Sequence, residues 1–324
     1  MPANGDLNPY GIVVVQRTEG RLVRGDVLVS NFNGSKNLQG TGSTIVEISP
    51  SGRRTLFAHI TPASLPGRCP GGVGLTTGLV IINGWVIVGS LPSVNGTVAA
   101  SSGGCLFVLD SNGTVRTIFR GHGIRGPWDA TAVSHGRSAS LFVANVLNGT
   151  KAAKGMVVNR GTILRLNLWF GAGQLPAIKS VTKIGSGFAE QSNATAFVLG
   201  PTGLGLGPNG ALYVAQTGMN QISWIGNAMT RTTSAGTGTL LTLGGWLNMP
   251  LGLAIAPNGD VLTVNGGNGR IVETNMAGMQ IATKYLDKSG KPAGAGALFG
   301  LAVAPHGMGV YYVDDAANTL RVLH

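Results

Sequence analysis

The chain has 324 residues, of which 43% are hydrophobic and 11% charged, so it can bury a large core, yet no apolar run approaches the roughly 18 residues of a membrane span. Gly accounts for 53 residues and is accompanied by Asn, Ser and Thr, a mixture that suits short strands and tight turns rather than disorder. Lys and Arg outnumber Asp and Glu by 23 to 12, a formal charge of +11, which draws acidic small molecules or anionic surfaces by long-range field alone.

The basic residues are scattered through turns such as Arg53-Arg54 and Lys151 to Lys154. They lack the interleaved aromatics of a stacking platform, which argues against specific nucleic-acid binding. Met1-Pro2-Ala3-Asn4-Gly5-Asp6 runs into the first strand with no basic start and no apolar signal core. The chain is therefore either cytosolic or an exported protein whose leader has been removed. Its low charge, its wealth of Asn, Ser and Thr and its two cysteines favour a secreted or periplasmic protein.

Hardly any ten-residue window lacks a Gly, a Pro or an Asn-Gly pair, and each interior Gly costs a helix about 1 kcal/mol. The expectation is all-β. Diverged copies of one unit start at Pro9-Tyr10-Gly11, Thr77-Gly78-Leu79 and Pro127-Trp128-Asp129. Clear copies run over 201–215, 250–264 and 299–313. Each is an apolar or alternating strand, a Pro-Asn-Gly or Pro-His-Gly turn, and a second β-rich strand. Gly203, Gly252 and Gly300 are 49 and 48 residues apart, one four-stranded propeller blade each. The wider spacings from Gly11 to Gly78 and from Ala130 to Gly203 imply insertions in the first and third units, tolerated at little entropic cost.

Third strands are expected at 43–49, 104–110, 162–168, 221–225, 270–274 and 319–323. The result is one domain over 1–324, a six-bladed β-propeller with blades at about 8–66, 75–121, 127–188, 200–247, 249–288 and 298–324. The chain ends on the third strand of the last blade, which either stays three-stranded or borrows the segment before Asn8. Full closure hides sheet edges, so a monomer is the default.

Pro250-Leu251-Gly252-Leu253-Ala254-Ile255-Ala256-Pro257-Asn258-Gly259-Asp260-Val261-Leu262 resembles the NHL repeat, and 313–322 resembles its second half. The likeness covers about the last 125 residues well and the rest weakly. Six-bladed relatives of this kind include gluconolactonase-like and strictosidine-synthase-like propellers, so the resemblance implies architecture and leaves function open among hydrolases, lyases and binding modules.

In such a fold, loops entering the innermost strands and loops joining second to third strands share one face. Tyr10, Trp128 and Phe299 begin innermost strands, and Asn31, Asn145, Gln216, Asn265 and Asp314 end second strands. Asn31, Asn145, Asn265 and Asp314 would turn oxygens toward a central calcium, as the resemblance to calcium-dependent propeller lactonases implies, or would instead hold loop amides. Those relatives use an acidic residue in the first blade where this chain has Asn8-Pro9-Tyr10.

A second cluster, Arg116, Arg120, His122, Arg125, Trp128 and Asp129, offers guanidinium groups for an anion, a ring for stacking and an imidazole for proton transfer. A solvated basic loop fits the same residues. Cys69 and Cys105 fall near one face of the second blade, which allows a disulfide or two free thiols. A binding protein for a small molecule, glycan, peptide or anionic ligand is the primary expectation. The alternative is a metal-dependent hydrolase, lactonase or lyase using His122, Asp129 or Asp314 for proton transfer.

Overall fold

The computed structural model describes residues 2–324, the side chain of His306 excepted. Six antiparallel sheets follow one another along the chain, each a meander from the axis outward. The first comprises β1 (Leu7–Val14), β2 (Val27–Asn33), β3 (Thr44–Ile48) and β4 (Arg54–His59). The second comprises β5 (Leu75–Ile82), β6 (Trp85–Ser90), β7 (Cys105–Leu109) and β8 (Val115–Phe119). The third has five strands: β9 (Gly126–His135), β10 (Ser138–Val146), β11 (Val158–Trp169), β12 (Ala177–Asn193) and β13 (Phe197–Leu199). The fourth holds β14 (Pro201–Leu206), β15 (Leu212–Gln216), β16 (Gln221–Ile225) and β17 (Thr239–Leu243). The fifth holds β18 (Pro250–Ile255), β19 (Val261–Asn265), β20 (Arg270–Thr274) and β21 (Gln280–Tyr285). The sixth stops at three strands: β22 (Leu298–Val303), β23 (Val310–Asp314) and β24 (Thr319–Leu323).

This is a six-bladed β-propeller whose last blade is three-stranded. The segment before Asn8 does not complete the sixth blade, because Leu7 to Val14 pair with β2 alone. The ring closes through contact of β1 with β22 and β23, and the Asn8 amide donates to Asn318 Oδ1 at 3.0 Å, 310 residues away.

Strand periodicity explains the core. Successive side chains point to opposite faces, and in a propeller each face of a blade meets a neighbouring blade. Thus Leu79 and Ile81 pack toward the first blade, with Val88 and Phe107, while Val80 and Ile82 pack toward the third, with Leu141 and Leu166. The remaining inter-blade cores repeat this arrangement.

The ladder between first and second strands slips near the start of the inner strand in every blade, for example between Pro201 and Leu204 and between Pro250 and Leu253. The repeat glycines lie in these slips. A Cβ on Gly252 would collide with the carbonyl oxygen of Phe299, and one on Gly300 with that of Tyr10. These positions let adjacent inner strands approach backbone to backbone around the axis.

The third-blade insertion is a hairpin of β12 and β13 that continues past the blade. Its tip reaches the first blade, where Gln39 Nε2 donates to Thr195 O at 2.5 Å.

Candidate functional site

At the face where inner strands begin, the axis is closed by five aromatic side chains. Tyr10 stacks between Phe32 and Phe299, with ring centroids 4.6 and 4.0 Å apart. Trp128 meets Tyr10 and Phe32 edge-on and lies parallel to Phe197 at 6.3 Å. All five are at most 3% exposed. Offset and edge-to-face pairs of this kind add about 0.5–1.5 kcal/mol each beyond their burial. Phe197 reaches the stack from β13 with φ +62°, a left-handed conformation that an aromatic residue adopts at a cost of about 1–3 kcal/mol. The insertion hairpin therefore places a ring over the axis against its own backbone preference.

Below this plug runs a channel of about 570 Å³. All six inner strands line it, with Trp128 and Phe299 at its inner end and Gln16, Arg17, Glu19 and Asn83 toward the hairpin turns. Burial along the inner strands falls in the same direction: β9 is buried at Gly126, Pro127 and Trp128, partly buried from Asp129 to Val133 and exposed at Ser134 and His135, and β14, β18 and β22 also loosen toward their ends. The channel is thus blind at the plug and open at the hairpin face. Its wall is the free edge of six strands, which presents backbone N–H and C=O groups.

Asp129 is the carboxyl group at the inner end of this wall, and Glu19 lies at the open end. Its Oδ2 accepts the amide of Leu204 at 2.9 Å, and it is further held by the Ala130 amide and the Thr77 hydroxyl. Burial outweighs these bonds and pushes its pKa up to about 7. Asp129 is therefore poised between a proton donor and a charged acceptor near neutral pH.

The other sequence candidates lie elsewhere. Tyr10, Trp128 and Phe299 stack on one another, and of these only Trp128 and Phe299 border the channel. The residues ending second strands hold their own blades together. Asn31 Nδ2 donates to Thr44 Oγ1 at 3.0 Å, Gln216 Nε2 to Ser223 Oγ at 2.9 Å, and Asn265 Nδ2 to Trp246 O at 2.7 Å. Asn145 Oδ1 accepts the amides of Arg125 and Gly126 at 2.7 and 3.1 Å. Asp314 Oδ1 accepts the Ala317 amide at 3.1 Å and Oδ2 faces Arg321 at 3.3 Å. Burial raises the Asp314 pKa, and burial together with Asp314 raises that of Asp315 to about 7.

The candidate oxygens differ in what they meet: Asn145 Oδ1 is spent on two amides, whereas Asn265 Oδ1 and Asp314 Oδ2 are buried without a hydrogen-bond partner. Among the described residues no group of three or more His, Cys, Asp or Glu is arranged to hold a metal ion. The basic segment does not form one cluster. Trp128 and Asp129 enter the channel, His122 and Arg125 face a separate notch, and Arg116 pairs with Asp110 at 3.0 Å. Cys69 and Cys105 form a disulfide that ties the loop before β5 to β7.

Phe32, Phe197 and Glu190 carry no signal in the repeat pattern. Glu190, on β12, is 1% exposed, and burial pushes its pKa up to about 7 against the Asn148 and Leu147 amides and Arg160.

No helix among the described residues is long and apolar enough to cross a membrane. Comparison of the sequence with protein-family models and with curated proteins finds no match. Solved structures share the fold. A gluconolactonase from Xanthomonas campestris is 12% identical, with a TM-score of 0.59 over 98% of this chain and 86% of that one. The calcium-binding protein regucalcin from Agrobacterium tumefaciens is 14% identical, with a TM-score of 0.55 over 97% and 86%. A catalytically inactive virginiamycin B lyase from Staphylococcus aureus, solved with quinupristin, is 15% identical, with a TM-score of 0.54 over 98% and 81%. At these identities the likeness establishes a six-bladed β-propeller as the fold, and nothing narrower.

Proposed function

We propose that this chain is an NHL-like propeller, one domain over its length, that takes a small molecule into the central channel from the hairpin face and holds it against Asp129. The observation that carries the reading is the blind channel of about 570 Å³ with a titratable carboxyl near its floor. That volume lies in the range of small-molecule sites and is too small for a folded partner. Edge-strand amides and carbonyls supply hydrogen bonds in fixed positions, and Asp129 supplies a donor or an acceptor according to pH. The disulfide suits an oxidising compartment, so the protein works outside the cytosol, as a monomer.

Binding is favoured over catalysis because Asp129 stands alone at the inner end of the channel. His122 and Asp314 are not in the channel lining, and the one other carboxyl there, Glu19, lies toward the open hairpin face and is paired with Arg17 at 2.9 Å. A second reading, opening of a lactone or elimination with Asp129 as the single proton-transfer group, draws on its raised pKa and on the gluconolactonase and lyase names among the structural neighbours.

Ligand-observed NMR with a library of small polar molecules tests the proposal on the intact chain. Binders are expected whose affinity changes across pH 7 in the wild type and loses that dependence in Asp129→Asn. Binders indifferent to Asp129→Asn, or no binder at all, would sink it. Turnover of γ- and δ-lactones abolished by the same substitution would move the reading to the enzyme.

A further inference from the structure

A notch of about 410 Å³ lies between the second and third blades, lined by His122, Gly123 and Arg125 from the incoming loop and by Asn148, Thr162 and Lys183 from the third blade. None of these residues belongs to the channel wall. We propose that this notch is a receptor for a phosphate or sulfate group, free or at the end of a small ligand, with Arg125 and Lys183 as its charged contacts.

The charges are uncompensated. No carboxylate lines the notch, and none of the ion pairs among the described residues, Arg17 with Glu19, Arg116 with Asp110 and Arg321 with Asp314, involves Arg125 or Lys183. Two cations facing one cavity repel each other until an anion enters. A guanidinium offers a planar pair of N–H donors to an oxyanion, and an ammonium adds a compact charge that can meet a third oxygen.

The loop is built to hold its position. Asn145, 1% exposed, accepts the amides of Arg125 and Gly126 on its oxygen and donates from Nδ2 to Gly123 O at 3.1 Å and to Thr162 Oγ1 at 2.9 Å. One buried side chain thus fixes both the basic loop and the hydroxyl across from it. Because Thr162 Oγ1 accepts from Asn145, its own hydrogen is free to donate toward the notch. Asn148 Nδ2 donates to Asn145 O at 2.8 Å, and the same side chain meets the Glu190 carboxyl behind it. His122 sits at φ +52° between Gly121 and Gly123, in a turn closed by the Ile124 amide on Gly121 O at 2.8 Å. A non-glycine residue kept at such a corner, with its ring at the cavity, is the kind of local strain that accompanies sites. The rim is therefore rich in donors and short of free acceptors, which selects anions. The chain's +11 charge adds to their capture.

Isothermal titration with inorganic phosphate, sulfate and acetate, all at one ionic strength set with sodium chloride, tests the assignment. One saturable site for phosphate or sulfate is expected, with affinity falling at least about tenfold in Arg125→Ala and in Lys183→Ala, each of which removes one charge-assisted contact. Arg120→Ala removes the same charge from the same segment but lies outside the notch, and it is expected to bind as the wild type does. The substituted side chains are exposed, and unchanged melting curves would show that the variants fold. Equal losses in Arg120→Ala and Arg125→Ala would reduce the effect to net charge and overturn the proposal. So would acetate binding as tightly as phosphate, or no saturable heat from either phosphate or sulfate. Channel binding, read with Asp129→Asn, is independent of each of these outcomes.

Discussion

The side chain of Asp129 on β9 accepts the backbone amide of Leu204 on β14 at 2.9 Å, so a carboxyl from the third blade satisfies an edge amide of the fourth across the channel wall. The same residue has a pKa near 7, raised by burial. Its folded-state pKa lies above the ordinary value of 3.8, so the native state binds the proton more tightly than the unfolded chain. The stabilisation is complete below about pH 4 and drains away as pH rises to about 7. Glu190 and Asp315, also near 7, act in the same direction. Asp129→Asn keeps the acceptor oxygen and removes the charge. Its melting temperature is expected to exceed that of the wild type at pH 8 and to converge with it near pH 4. A variant less stable than the wild type at pH 8 would show that the carboxylate, rather than the acid, is the form the fold prefers.

Gly252 and Phe299 carry the second prediction. A methyl group at Gly252 meets the Phe299 carbonyl oxygen, which belongs to the next inner strand and has nowhere to retreat without moving β22. Gly252→Ala is expected to cost about 1–3 kcal/mol or more through overpacking. Gly210→Ala, at a hairpin turn where the new Cβ meets nothing but φ is +73°, carries backbone strain alone and is expected to cost about 1 kcal/mol. Urea unfolding of the two variants compares them, and equal costs would refute the close-approach role of the repeat glycine.

These glycines show what the sequence makes legible. Gly203, Gly252 and Gly300 recur because each inner strand meets its neighbour in the same way, so a local constraint is written once per blade and the blade count can be read from it. The second-strand residues Asn31, Asn145 and Asn265 recur for a similar reason. Their recurrence alone does not say whether their oxygens face the axis or a loop, since that depends on the path of each connecting loop. The plug has no periodic signature. Phe197 comes from an insertion found in one blade, and Phe32 ends a second strand where the other blades carry different residues, so the closing of the axis depends on a long-range meeting that no spacing records. Lys183 enters the notch from β12, the strand that pairs with β13 of Phe197, and is equally silent. Arg120 illustrates the converse: sequence proximity to Arg125 does not place it in the notch.

The disulfide between Cys69 and Cys105 closes a loop of 36 residues. In the chain-entropy model such a loop is worth about 4 kcal/mol, chiefly through restriction of the unfolded chain. The Cys69→Ala/Cys105→Ala pair is expected to lose about 2–4 kcal/mol in denaturant unfolding while keeping the far-ultraviolet spectrum of the β fold. A loss well under 1 kcal/mol would mean that the loop before β5 is held by its other contacts, among them the Gly74 amide on Ser90 Oγ at 3.1 Å.

The plug sets the last expectation. Phe197 is fully buried between Trp128 and Phe32, and truncating such a ring typically costs about 3–5 kcal/mol. Its left-handed backbone changes the comparison between two truncations: Phe197→Ala retains the strain of φ +62°, whereas Phe197→Gly loses the same ring and relieves that strain. The glycine variant is therefore expected to be no less stable than the alanine variant, the reverse of the usual order in a strand. Both open the axis above Trp128, so tryptophan quenching by acrylamide should rise in each relative to the wild type. An alanine variant clearly more stable than the glycine variant would show that a Cβ at position 197 does not strain the backbone. Unchanged quenching in both would mean that the remaining aromatics close the channel without it.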